Sequence, residues 1–118
     1  MQVKVYLTGD SDMNVLRLVN LPDEELEGVK PYENDADLVT FLDGVFTYGQ
    51  NDFQPVPPSG RCRSLVVGDL IEFNSRYHLI QSFGFKTMDD KEMDEYMAMS
   101  PDDRRWSRFC RPSPKGGK

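Results

Sequence analysis

Histidine and tryptophan occur once each, cysteine twice, and no apolar stretch is long enough to span a bilayer. The start Met1-Gln2-Val3-Lys4 lacks the cationic flank and apolar run of an export signal, so a cytoplasmic protein without membrane segments is expected. Cys62 and Cys110 make no disulfide framework and lack the partners that a zinc site requires; both read as reduced thiols. Phosphate-cradling glycine loops, metalloprotease histidine pairs and nucleophile elbows are all missing, so no cofactor and no metal is expected. What remains is a chain of 118 residues, a length that suits one core. The expected organisation is a single domain over residues 1–111, followed by a disordered basic tail over 112–118, where no apolar residue offers an anchor.

Charge is unevenly spread. The chain carries 20 Asp plus Glu against 14 Lys plus Arg, a net −6. All the acids precede residue 104, whereas Arg104, Arg105, Arg108, Arg111, Lys115 and Lys118 lie beyond it. An acidic body repels nucleic-acid phosphate, so direct nucleic-acid binding is expected of the tail at most, and weakly. The same acidity admits the body as a DNA mimic that occupies a restriction or CRISPR factor. The four arginines fall where a last helix would end, where cations complement the helix dipole and pair with acids of the body.

Val3, Val5 and Leu7 alternate with polar neighbours, the period-two pattern of a strand with one buried face. Gly9-Asp10-Ser11-Asp12 reads as a turn. Residues 14–19 form a weaker strand candidate in which Arg17 interrupts Val15, Leu16, Leu18 and Val19. Pro22 followed by three acids predicts at most two helical turns, stopped by Gly28. A longer helix is predicted over residues 35–47. Asn34 is its cap, Leu38, Phe41, Leu42 and Val45 form one apolar stripe, and Val39 and Phe46 widen that stripe. Gly44 within it suggests close packing. Tyr48-Gly49-Gln50-Asn51 should end the helix, and Pro55, Pro57, Pro58 and Gly60 should form a connector.

From Ser64 the pattern turns to β, with Leu65-Val66-Val67, Gly68-Asp69 and Leu70-Ile71-Glu72-Phe73, then Asn74-Ser75-Arg76 as a three-residue turn before a second strand from Tyr77. Gly84 between Phe83 and Phe85 suggests a bulge with both rings reaching the core. Residues 89–97 read as a helix, and Ser100-Pro101-Asp102-Asp103 starts another, docked by Trp106 and Phe109 with Trp106 as anchor. The expected fold class is α+β: a small antiparallel sheet with a central hairpin over about 64–86, packed by the 35–47 helix and short C-terminal helices.

Few residues suggest chemistry. His78 lies in an apolar strand run, where the sheet reading is stronger than a general-base one because no oriented partner accompanies it. Cys62 between Arg61 and Arg63 has a setting that lowers a thiol pKa, so an enzyme using Cys62 and His78 is the least favoured reading. Gly68-Asp69 suits a turn whose carboxylate caps nearby N–H groups. The acids of 89–95 lack the ligand spacing of a calcium loop. Met88 and Met99 fall off the helical stripe that Met93 and Met97 share, which makes them candidates for a partner surface.

The run Arg63-Ser64-Leu65-Val66-Val67-Gly68-Asp69-Leu70-Ile71-Glu72-Phe73, with Ser82-Phe83-Gly84-Phe85-Lys86 closing it, resembles the YodL-like domain. The resemblance covers about residues 1–88 and includes the order of first strand, Leu-bearing helix and proline connector. Departures are Val67-Gly68 in place of Val-Ser, and Tyr77-His78-Leu79-Ile80-Gln81 where a Cys-Asp segment is common, so a role tied to that Cys-Asp does not carry over. The resemblance implies a small domain of a plasmid, phage or conjugative element, with a part in host-element conflict. The function expected is a non-enzymatic module that binds another protein through Gly68, Asp69, Ser82, Phe83, Gly84, Lys86, Met88 and Met99.

Overall fold

The computed structural model describes residues 1–10, 16–50 and 64–111. Five strands form one antiparallel sheet: β1 (Gln2–Tyr6), β2 (Leu16–Asn20), β3 (Leu70–Phe73), β4 (Arg76–Ile80) and β5 (Phe85–Met88), in the order β2-β1-β3-β4-β5. The helices are α1 (Asp35–Tyr48), α2 (Asp90–Met97) and α3 (Pro101–Trp106), with a 3-10 turn over Asp23–Leu26. This is an α+β fold. No helix among the described residues is long and apolar enough to cross a membrane.

Period-two alternation sorts the strands onto two faces. Val3, Val5, Val19, Ile71, Phe73 and Ile80 pack with Phe41, Leu42 and Val45 of α1 in a first core. Leu70, Leu79 and Met88 point the other way and pack with Tyr96, Phe109 and Cys110 in a second. The sheet therefore lies between α1 on one side and the C-terminal helices on the other. Helix α1 starts as its sequence predicts, with the Asn34 side chain accepting the Asp37 N–H at 2.7 Å. Gly44 comes close to Leu21, and at Gly49 any side chain would run into Leu65.

Several expectations are corrected. Residues 64–69 are loop, so the central ribbon begins at Leu70. Its turn has two residues, Asn74 and Ser75, both in the left-handed region with φ of 54° and 60°, the mirror-image turn that suits the twist of paired strands; Arg76 already pairs with Phe73. Gly84, with φ of 76°, marks a turn between β4 and the unexpected strand β5 rather than a bulge. Phe83 at that turn is 83% exposed, whereas Phe85 does pack on the first core. On β2 the buried positions are Val19 and Arg17, and Leu16 and Leu18 face outward. Val39 also lies outside the buried stripe of α1, and Trp106 is 71% exposed, leaving Phe109 and Arg104 to dock the C-terminal segment. The proline connector, Cys62 and the 112–118 tail lie outside the described residues.

Candidate functional site

The Gly68-Asp69 step is at the centre of a buried polar knot. Asp69 is fully enclosed, its Oδ1 accepting the Gly9 N–H and its Oδ2 the Val66 N–H, each at 2.9 Å. The Gly68 carbonyl accepts the Thr8 hydroxyl at 2.7 Å and the Tyr96 hydroxyl at 2.6 Å. Gly68 has a φ of 101°, and a Cβ there would approach Gly9 Cα to 2.9 Å, so glycine is required twice over. These residues join the end of β1 to α2. They cap local N–H groups as the sequence suggests, and they offer no surface to a partner.

Arg104 closes the same knot. Its Nε donates to the Tyr96 carbonyl at 3.0 Å, Nη1 to Thr8 at 3.2 Å and Nη2 to Met97 at 3.2 Å. Two of those carbonyls belong to the last turn of α2, so the guanidinium both satisfies orphan acceptors and complements the dipole. Nothing in local sequence singled out Arg104 from Arg105, Arg108 and Arg111; only the tertiary placement of α3 does. The Tyr96 phenol and the Cys110 thiol, 3.6 Å apart, are both pushed to higher pKa by burial, so both stay protonated and the thiol is unreactive.

The other predicted positions divide by exposure. Met88 is only 5% exposed and belongs to the second core, and Met99 packs against that core half-buried. Lys86 is half-buried and pairs with Glu92 at 2.9 Å, which helps to hold the Glu92 carboxyl below its ordinary pKa. Ser82, Phe83 and Gly84 are exposed. Their turn is fastened to the C-terminal segment, because the Ser82 N–H donates to the Cys110 carbonyl at 2.8 Å and Gln81 Nε2 to that of Phe109 at 2.7 Å. Next to Cys110, Arg111 stacks over the exposed Trp106 ring at 4.4 Å and donates to the Arg105 carbonyl. Phe83 thus follows a residue hydrogen-bonded to the segment that carries Arg111 and Trp106, with Arg108 held over Phe109 and paired with Glu95.

His78 sits in β4 as a sheet residue, 2% exposed, with Nδ1 2.8 Å from the Thr87 hydroxyl. Burial lowers its pKa; the Phe73 carbonyl opposes that shift and Arg76 adds to it. Its Nε2 has no hydrogen-bond partner among the described residues. Among the described residues no cluster of His, Cys, Asp and Glu could hold a metal ion. No protein-family model matches the chain, and neither a curated protein nor a solved structure matches it.

Proposed function

We propose that the protein is a non-enzymatic interaction module that binds another protein with the end formed by Phe83, Arg111 and Trp106. The observation that carries this reading is that two of its largest aromatic rings, 83% and 71% exposed, sit on segments hydrogen-bonded to each other. Exposed aromatics cost solubility, and rings set beside arginine have the composition enriched where interfaces concentrate their binding energy. Positive charge at this end of an otherwise acidic chain favours a partner with an acidic surface. The resemblance to YodL-like domains supports a place in a plasmid, phage or conjugative element, where such a module would engage a host or element protein.

Photo-cross-linkers inserted separately at Phe83, Trp106 and Val39 test the proposal in cells of the host. Capture of one common protein from positions 83 and 106, and not from the exposed apolar position 39, is the expected result. Equal capture from position 39, or none at 83 and 106, overturns it.

A further inference from the structure

Of the three arginines that follow Arg104, two are spent within the chain. Arg108 pairs with Glu95 at 2.9 Å, and Arg105 lies 3.9 Å from Asp102 and donates to the Gly9 carbonyl at 3.5 Å. Arg111 has no carboxylate beside it among the described residues, and its two contacts fix direction without neutralising charge. The guanidinium carbon stands 4.4 Å from the centroid of the Trp106 ring, and Nε donates to the Arg105 carbonyl at 3.0 Å. The stack sets the plane of the guanidinium, and the Nε hydrogen bond sets its rotation within that plane. Nη1 and Nη2 make no hydrogen bond or ion pair to any described residue, so the fork they form is held in one orientation and unspent. The indole N–H of Trp106, in a ring 71% exposed, is unspent as well.

Two parallel N–H donors on one planar head group match the two oxygens of a carboxylate, and a head group already held in place loses little freedom when it is bound. Charge separates a carboxylate from a phosphate. A phosphoryl group carries about −1.5 to −2 at pH 7, whereas the only cation left unpaired among these three arginines is Arg111. One charge of each sign balances; a phosphate would keep an excess. The part of the indole that Arg111 does not cover remains open to an apolar contact beside that anion. We propose that Arg111, stacked on Trp106, is the anchor for a single carboxylate of the partner, an Asp or Glu side chain with an apolar neighbour in sequence. This rests on the reading of the same surface as a protein-binding one.

The single tryptophan makes the test direct, since the indole signals of the full chain, in fluorescence and in NMR, belong to Trp106 alone. The peptide acetyl-Leu-Glu-Leu-amide is titrated, with its Gln and phosphoserine counterparts as controls. A saturable change with the Glu peptide is expected, weakened about tenfold or more in the Gln peptide and in Arg111→Gln, and weakened also in Arg111→Lys, which keeps the charge without the fork. Absence of a saturable change, equal binding of the Gln peptide, tighter binding of the phosphoserine peptide, or an Arg111→Lys chain equal to the parent overturns the proposal. Cross-linking from position 83 in cells, repeated with Arg111→Gln, separates this anchor from the reading on which it rests. Loss of capture in the variant is expected. Unchanged capture overturns the anchor and leaves the partner standing, whereas no capture by the parent chain overturns the partner reading itself and leaves the anchor to be decided by the peptide titration.

Discussion

His78 illustrates how one buried side chain sets a pH response. Its folded pKa lies below the ordinary 6.5 because burial disfavours the charged ring. The unfolded chain therefore binds a proton that the native chain refuses, and stability falls as pH drops below about 6.5 while remaining flat above it. Arg76 reinforces this, and Asp35, the carboxylate that lines the same surface cleft as His78, is not among the causes of the shift. The Glu92 carboxyl, also depressed, loses its share only below its ordinary 4.5, in a separate window. Urea unfolding between pH 7.5 and 5.5 should show a decline of at most about 1.4 kcal/mol per pH unit, and His78→Phe should flatten it. A decline that survives in His78→Phe would assign it to other groups. Arg104 is the second residue on which much depends. Arg104→Met removes three guanidinium hydrogen bonds at a buried site and should cost about 3 kcal/mol, whereas Arg104→Lys, which keeps the charge without the fork, should cost less. Denaturant midpoints of the two variants check the order.

Among the elements, the β3–β4 turn carries a correctable imperfection. Asn74 suits its left-handed conformation, but Ser75 at φ 60° bears a Cβ where glycine is preferred. Ser75→Gly is expected to stabilise the protein by about 0.5 kcal/mol, the relief of strain exceeding the added chain entropy; a lower unfolding midpoint would contradict the assigned turn. This turn also shows what was legible in the sequence. Local signals were reliable where a side chain acts on its own neighbourhood: Asn34 caps α1, and Ser100 with Pro101 opens α3, whereas Asp89, read as the first residue of α2, is instead its cap, paired reciprocally with Glu92. The alternation of Val3 and Val5 located β1 and its buried face. Apolar runs were less informative, because Leu65 and Val67 are drawn inward as loop residues by the knot around Asp69, not by strand pairing. Gly84 read as a bulge because β5, at four residues, is too short to announce itself. Of the expected partner residues, the sequence could not separate the exposed Phe83 from the buried Met88, since both follow from which face of the sheet the C-terminal segment covers.

At the scale of the molecule, that segment decides how much of the second face is buried. Helix α2 alone supplies Tyr96, but Phe109, Cys110 and the guanidinium of Arg104 all come from beyond residue 99. The same stretch accepts hydrogen bonds from Gln81 and Ser82 and so holds the Phe83 turn in place. A chain ending at residue 99 should therefore lose far more than its two missing core side chains, because Leu70, Leu79 and Met88 would lose cover and the carbonyls of Thr8, Tyr96 and Met97 would lose the Arg104 donors. Near-ultraviolet circular dichroism and thermal unfolding should show a loosened or unfolded protein. Phe83→Ser and Trp106→Ser, which remove only exposed rings, should change stability by no more than about 0.5 kcal/mol. Were the shortened chain as stable as the full one, the second core would not be part of what holds the sheet. A large loss in Trp106→Ser would instead mean that this ring anchors the fold, and would remove the reason for placing a partner on it.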